Sequence, residues 1–321
     1  MDHVSSRRSV VLGGAGLVGL VGWCSAIRGL RAEDATDTTE ILEPFGGQTV
    51  ANVTKTLSSA LEHETNRTIK LTPVSDDGGA AGTIIEKLNA APADGSLLGV
   101  LALLSSAMTA LHDDKATLSS LTPIAQLTRG WSEALFTASA SPIRSWQEFV
   151  AVASRGTLKV ASFDQSTVSY LGVQMIKRYT RLTLDSVVTR SPMETMQVVQ
   201  SGTVAAGVLP IPSLMSMGGQ VRPLVTFGAQ RNPVLGFAPT LSELVRASDA
   251  ELTENVAVFA PPATPPEIAD RWTQAFIAAA KGAARNPDPG SRYIELAVEG
   301  PAVLRATMER NAQLLRRVFP S

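Results

Sequence analysis

The stretch Ile69-Lys70-Leu71-Thr72-Pro73-Val74-Ser75-Asp76-Asp77-Gly78-Gly79-Ala80-Ala81-Gly82-Thr83, followed by Ile84-Ile85-Glu86-Lys87-Leu88, decides the fold. Its first six residues alternate apolar with polar, the mark of a strand over 69–74. The segment from Thr83 to Ala91 carries apolar residues at helical spacing. Between them stand three glycines, which let the backbone approach another group closely. Asp76 and Asp77 read as turn formers that bond backbone N–H groups. A cation site built from both is the other reading, although two adjacent carboxylates are too few ligands for calcium.

The same strand–turn–helix unit recurs outward in both directions. Glu40–Phe45 reads as a strand and Val50–Glu64 as a helix, with Val53, Leu57, Ala60 and Leu61 on one face. Leu97–Leu104 is a continuous apolar run with the length of a buried strand. Leu121–Leu127 and Ala134–Ala138 are further strands. A second series follows Ser141-Pro142, with helices at 145–154, 168–179 and from Pro192 to about Gln200. Its strands are at 158–161, 186–188, 204–209 and 221–227. Asn255–Ala260 reads as a last strand, and Pro266–Ala284 and Leu304–Val318 as closing helices. Strands alternating with helices imply an α/β architecture with mostly parallel sheets. The expected division is residues 33–137 plus 226–321 in one domain and 138–225 in the other. Strands 134–138 and 221–227 are the expected crossings, which puts a ligand cleft between the domains.

The chain has 321 residues, 44% hydrophobic and 18% charged, which is enough apolar material for a core. A formal net charge of −1 offers no basic field for nucleic acid, and 5% aromatic content disfavours base stacking. Residues 1–32 read as an export signal. Ser6-Arg7-Arg8 precedes the uncharged stretch Val10–Ala26, which five glycines dilute, as in a twin-arginine signal. Cleavage after Ala26 or Ala32 is expected; an uncleaved anchor is the alternative. Cys24 is the only cysteine, and cleavage after Ala26 removes it.

Catalytic signatures are missing. There is no G-x-S-x-G elbow, S-x-x-K pair or G-x-x-x-x-G-K-[ST] phosphate loop. His63 and His112 show no zinc-ligand spacing and read as surface residues. No catalytic residue, metal or cofactor is expected. What recurs instead are helix starts preceded by small polar residues. These are Phe45-Gly46-Gly47-Gln48-Thr49, the loop 76–83, Ser162-Phe163-Asp164-Gln165-Ser166-Thr167 and Thr189-Arg190-Ser191-Pro192. Each helix start leaves unpaired N–H groups and a partial positive charge that suit small anions and carboxylates. Taken singly, each is also ordinary capping and turn chemistry.

The order of these motifs resembles the tripartite tricarboxylate transporter receptors, the Bug family of periplasmic binding proteins. Glu43-Pro44-Phe45-Gly46-Gly47 resembles the family's P-F-x-x-G-G. Ser75–Thr83 resembles its N-x-x-G-A-G-G-x-x-G loop, and Pro92-Ala93-Asp94-Gly95-Ser96-Leu97 its P-D-G-Y-T-L turn. Leu121-Thr122-Pro123-Ile124-Ala125, Gly202–Ala206, Pro239–Leu244 and Phe259–Pro265 match four more motifs in order, over about residues 40–320. The resemblance implies a two-domain clamshell of type II, each domain a mixed, mostly parallel sheet flanked by helices. It implies a small organic solute, often a carboxylate, held largely by loop backbone and water and passed to a membrane permease. No enzymatic role follows, and a monomer is expected.

The second-domain loops depart from the family pattern. The family's Ser-Gly-x-Gly-Ser loop becomes Ser162-Phe163-Asp164-Gln165-Ser166, its Y-x-G turn becomes Thr189-Arg190-Ser191, and the acidic residue of its V-D element becomes Ala205. Arg190 would pair a ligand carboxylate bidentately. Asp164 would repel a carboxylate and suit an amine or amide. The two would alternatively pair with each other, or stand solvated. The expected ligand contacts in the first domain are Phe45, Gly46, Gly47 and Thr49, then Gly78, Gly79, Gly82 and Thr83, then Ser105. In the second they are Ser162, Asp164, Ser166, Thr167, Arg190 and Ser191. The rewritten loops also motivate another reading, a sensory or partner-binding clamshell that has lost solute transport.

Overall fold

The structure, a computed structural model, describes residues 38–44, 48–75, 80–111, 117–218, 220–283 and 294–320. The expected export segment at 1–32 lies outside the described residues. So do Phe45, Gly46, Gly47, Asp76, Asp77, Gly78, Gly79 and His112.

Two mixed sheets form the body. The first holds six strands: β1 (Thr38–Pro44), β2 (Thr68–Val74), β3 (Leu97–Ala102), β4 (Thr122–Thr128), β10 (Val256–Ala260) and β11 (Leu296–Glu299). Their order is β11-β4-β10-β3-β1-β2. β1 runs parallel to β2 and β3, whereas β10 is antiparallel to β3 and β4. The second sheet has β5 (Glu133–Ala138), β6 (Leu158–Phe163), β7 (Leu184–Thr189), β8 (Ala206–Pro210) and β9 (Val221–Thr226), in the order β7-β6-β8-β5-β9. Here β6 is parallel to β7 and β8, and β5 is the antiparallel insert. Strands 133–138 and 221–226, expected as crossings, pair with each other inside the second sheet. The chain passes between sheets at 129–132 and 227–255.

Alternation along each strand feeds two cores in the first lobe. Ile41, Val100 and Val258 pack on one face with α1 (Gln48–Thr65) and α9 (Pro266–Ala283). Leu42, Leu101 and Phe259 pack on the other with α2 (Ala80–Ala90). All five residues of β10 are buried, which is why it reads as unbroken apolar sequence. In the second lobe, Leu135, Val160 and Val208 face α5 (Val168–Thr180), while Phe136, Ala161 and Leu209 face α6 (Pro192–Gln200). The C-terminal helix α10 (Pro301–Val318) puts Leu304 into a core of the first lobe and Leu314, Leu315 and Val318 into one of the second.

The apolar run 97–104 does not stay extended. β3 stops at Ala102, and α3 (Leu103–Thr109) begins with no capping side chain from Ala102. Its first N–H groups are bonded from far along the chain, by Asn255 and Glu254. No local start signal exists there, so periodicity alone leaves the segment extended. The helix α7 (Ile211–Met217), which starts at Pro210-Ile211-Pro212, and strand β11 are likewise additions to the expected elements.

The two crossings lie side by side. Trp131 and Glu254 form an antiparallel bridge, with N–H to carbonyl distances of 3.0 and 2.9 Å. Gly130 has φ +87°, and a Cβ there would stand 2.4 Å from Thr253 Cγ2 and 2.6 Å from the Glu254 carbonyl oxygen. Only glycine fits both the torsion and the space. Gly130→Ala is therefore expected to cost about 1–3 kcal/mol of stability. Urea unfolding measures it, and an unchanged midpoint would show that the crossing tolerates a side chain.

Candidate functional site

A cavity of about 420 Å³ opens between the two sheets. That volume suits a small organic molecule. Its walls are the first turns of helices that follow sheet strands. Thr49 and Val50 come from α1, Ala80 and Ala81 from α2, and Ser105 and Ser106 from α3. The second lobe supplies Thr167, Val168 and Ser169 from α5, Ser191 and Pro192 from α6, and Pro210 and Ser213 from α7. Strand carboxyl ends and helix N-termini thus converge on one space, as open α/β sheets arrange them.

Of the expected contacts, Thr49, Ser105, Asp164, Ser166, Thr167, Arg190 and Ser191 line this cavity. Gly82 and Thr83 do not. α2 starts at Ala80, three residues before the expected start, so Ala80 and Ala81 form the wall and residues 82 and 83 turn away within the helix. Ser162 is wholly buried in β6; its neighbour Phe163 takes the cavity side, as strand alternation requires.

Each loop charge is satisfied locally. Asp164 sits at φ +47° and accepts from the Ser166 N–H at 2.8 Å and its hydroxyl at 2.7 Å. Aspartate tolerates this left-handed torsion better than most residues. Arg190 pairs with Glu194 in the first turn of α6, Nε to Oε2 at 3.3 Å, and its N–H bonds the same oxygen at 2.8 Å. Those bonds hold the Glu194 carboxyl below the usual range. The pairing is thus Arg190 with Glu194, and the Arg190 side chain is 93% exposed. By contrast, the α5 cap residue Thr167 makes no side-chain cap bond, and its hydroxyl donates to the Asp164 carbonyl at 2.9 Å instead.

Sequence reading missed the cavity's acidic floor. Trp131, Glu133 and Glu254, all at the two crossings, line it. Glu254 receives four donors. Leu104 N–H at 2.8 Å and Asn255 N–H at 3.0 Å reach Oε1; Ser105 N–H at 2.9 Å and its hydroxyl at 2.6 Å reach Oε2. Burial pushes this carboxyl up, against those four bonds. Glu133 receives one donor, the Ser169 hydroxyl at 2.7 Å on Oε2. Its Oε1 is buried with no partner among the described residues, as is the indole Nε1 of Trp131. Burial pushes the Glu133 carboxyl up to about 8; the Ser169 bond opposes this and the Glu254 charge adds to it. With four donors Glu254 is the more readily ionised of the two, and Glu133 holds the proton at neutral pH. The available signal was a carboxylate heading an otherwise buried strand, since glutamate is seldom buried unpaired.

The fold and cavity define a two-lobed ligand-binding architecture of the periplasmic-binding-protein kind. The sequence matches the tripartite tricarboxylate transporter family receptors over residues 64–289, and the chain belongs to that family of solute-binding proteins. No curated protein matches by sequence. Solved structures share the fold. MatC from Rhodopseudomonas palustris with bound malate has a TM-score of 0.70 at 22% identity, covering 88% of this chain and 99% of that one. R. palustris Rpa4515 with adipate has a TM-score of 0.72 at 19% identity, covering 89% and 97%. The periplasmic binding protein BugD has a TM-score of 0.70 at 17% identity, covering 88% and 97%.

The raised Glu133 carboxyl makes stability depend on pH. Its folded value of about 8 exceeds its reference value of 4.5, so the folded state keeps a proton that the unfolded chain loses between them. Stability from this group is full below about 4.5 and is lost as pH rises to about 8, at up to about 1.4 kcal/mol per pH unit. Glu254 adds in the same direction. Glu133→Gln is expected to flatten the fall in urea-unfolding free energy between pH 5 and 8. An identical slope in the variant would mean that Glu133 stays ionised in the folded protein.

Proposed function

We propose that the protein is a periplasmic receptor that captures a small organic carboxylate, or a related amide or amino acid, in the cavity between its lobes. The observation that carries this reading is the convergence of helix first turns from both lobes on one space of suitable size, in a chain of this receptor family. The uncapped first turn of α5 offers N–H groups and partial positive charge to a carboxylate. Thr49 and Ser191 line the same space, beside Arg190 and Asp164, whereas the Ser105, Ser166 and Thr167 hydroxyls already donate within the protein. Binding without turnover is the role assigned, and no cofactor or metal takes part.

The malate and adipate held by two structural neighbours support a carboxylate as ligand. Delivery to the membrane permease of a tripartite tricarboxylate-type transporter, by a monomer exported through the signal at residues 1–32, completes the proposal. No helix among the described residues is long and apolar enough to cross a membrane. The moving units are taken as the two sheets with their helices, joined at 129–132 and 227–255.

Thermal shift against a panel of mono- and dicarboxylates, amino acids and amides tests the reading. A ligand at a hundredfold excess over Kd stabilises a receptor by about 2.7 kcal/mol. Ser213→Trp, which places an indole in the cavity from α7, is expected to abolish the shift while the protein still unfolds cooperatively. A ligand shift that survives this substitution would move the site elsewhere.

A further inference from the structure

We propose that Glu133 forms an amine subsite, so that the solute is a zwitterion whose ammonium docks on Glu133 Oε1 while its carboxylate meets the helix first turns. This inference rests on the receptor reading and adds the chemistry of one end of the ligand. Glu133 is 1% exposed, lines the cavity, and keeps one carboxyl oxygen without a partner among the described residues. A buried carboxyl oxygen left unbonded carries a large desolvation penalty, which a ligand donor removes. Glu254 cannot serve, because two donors already occupy each of its oxygens.

Charge balance favours an ammonium over a second carboxylate. Among the described residues, the charged side chains lining the cavity are Glu133, Glu254, Asp164 and Arg190. Arg190 is already paired with Glu194 and almost wholly exposed. A dicarboxylate would place its second anion beside Glu254, where the one cation among the described lining residues, Arg190, already has Glu194 as its partner, a costly arrangement away from water. The Ser169 hydroxyl orients the Glu133 carboxyl through Oε2 and leaves Oε1 for an ammonium.

The exchange balances as follows. The incoming ammonium N–H donates to Oε1, the Glu133 carboxyl ionises, and its proton leaves to solvent. Below about 8, where Glu133 is protonated before binding, affinity for an amine rises about tenfold per pH unit and then levels off. A ligand that binds only through carboxylates releases no proton at this position.

Matched pairs that differ only in amine against hydroxyl test the subsite: aspartate with malate, and glutamate with 2-hydroxyglutarate, with glutarate as the dicarboxylate reference. Calorimetry at pH 7 in two buffers of different ionisation enthalpy reads affinity and proton release together. Expected are at least tenfold tighter binding of the amine member and release of most of one proton per site. Glu133→Gln is expected to erase both the preference and the proton release. Equal or tighter binding of malate, 2-hydroxyglutarate or glutarate overturns the amine subsite and leaves a carboxylate receptor standing. Amine binding with no proton release in the unsubstituted protein also overturns it, whatever the variant does. Binding of no member while another carboxylate of the thermal-shift panel binds overturns the subsite and leaves the receptor reading standing; binding of nothing in that panel overturns both.

Discussion

The Glu254 carboxylate holds the centre of this molecule. It stands on the second crossing between the sheets, and it caps a helix from 150 residues earlier in the chain. Three backbone N–H groups and one hydroxyl converge on it, which is the complement that makes a buried carboxylate tolerable. The same residue pairs its backbone with Trp131 on the first crossing. One residue therefore starts α3 with its side chain, ties the two crossings together with its backbone and forms part of the cavity floor. Gly130 beside it has no room for a Cβ because that pairing is so close.

The energetic consequence falls on Glu133. A second carboxyl next to a buried, well-bonded anion cannot ionise cheaply, so it keeps its proton and one oxygen stays unbonded. The acidic floor is thus two groups with different roles. One is saturated and structural, and the other lines the cavity with one oxygen unbonded among the described residues. Above them the wall is made of helix first turns, with opposite partial charge. The uncapped first turn of α5 and the unbonded Glu133 oxygen offer a donor and an acceptor to one ligand.

Much of the fold was legible locally. Val53, Leu57 and Leu61 recur at helical spacing, and all are buried on α1. Ser191-Pro192-Met193-Glu194 announced α6, and the Ser191 hydroxyl does accept from the Glu194 N–H at 3.1 Å. The resemblance to the solute-receptor family, carried by seven short motifs, is met by the family match over residues 64–289. Where the reading failed, the cause lay at a distance. Leu103 and Leu104 looked like the tail of a strand because the cap of α3 comes from Glu254. The helix expected from Thr83 begins at Ala80, which takes Gly82 out of the loop.

The sequence by itself determined the alternation of strands and helices, the apolar faces that fill each core, and the small polar residues at helix starts. All of these depend on contacts within a few residues, where periodicity and capping chemistry operate. Only the tertiary structure decided which ends meet. It brought Trp131, Glu133 and Glu254 together from two crossings. The reason is physical: a carboxyl's protonation and partners depend on what surrounds it in space, and residues 133 and 254 become neighbours only when both sheets have formed.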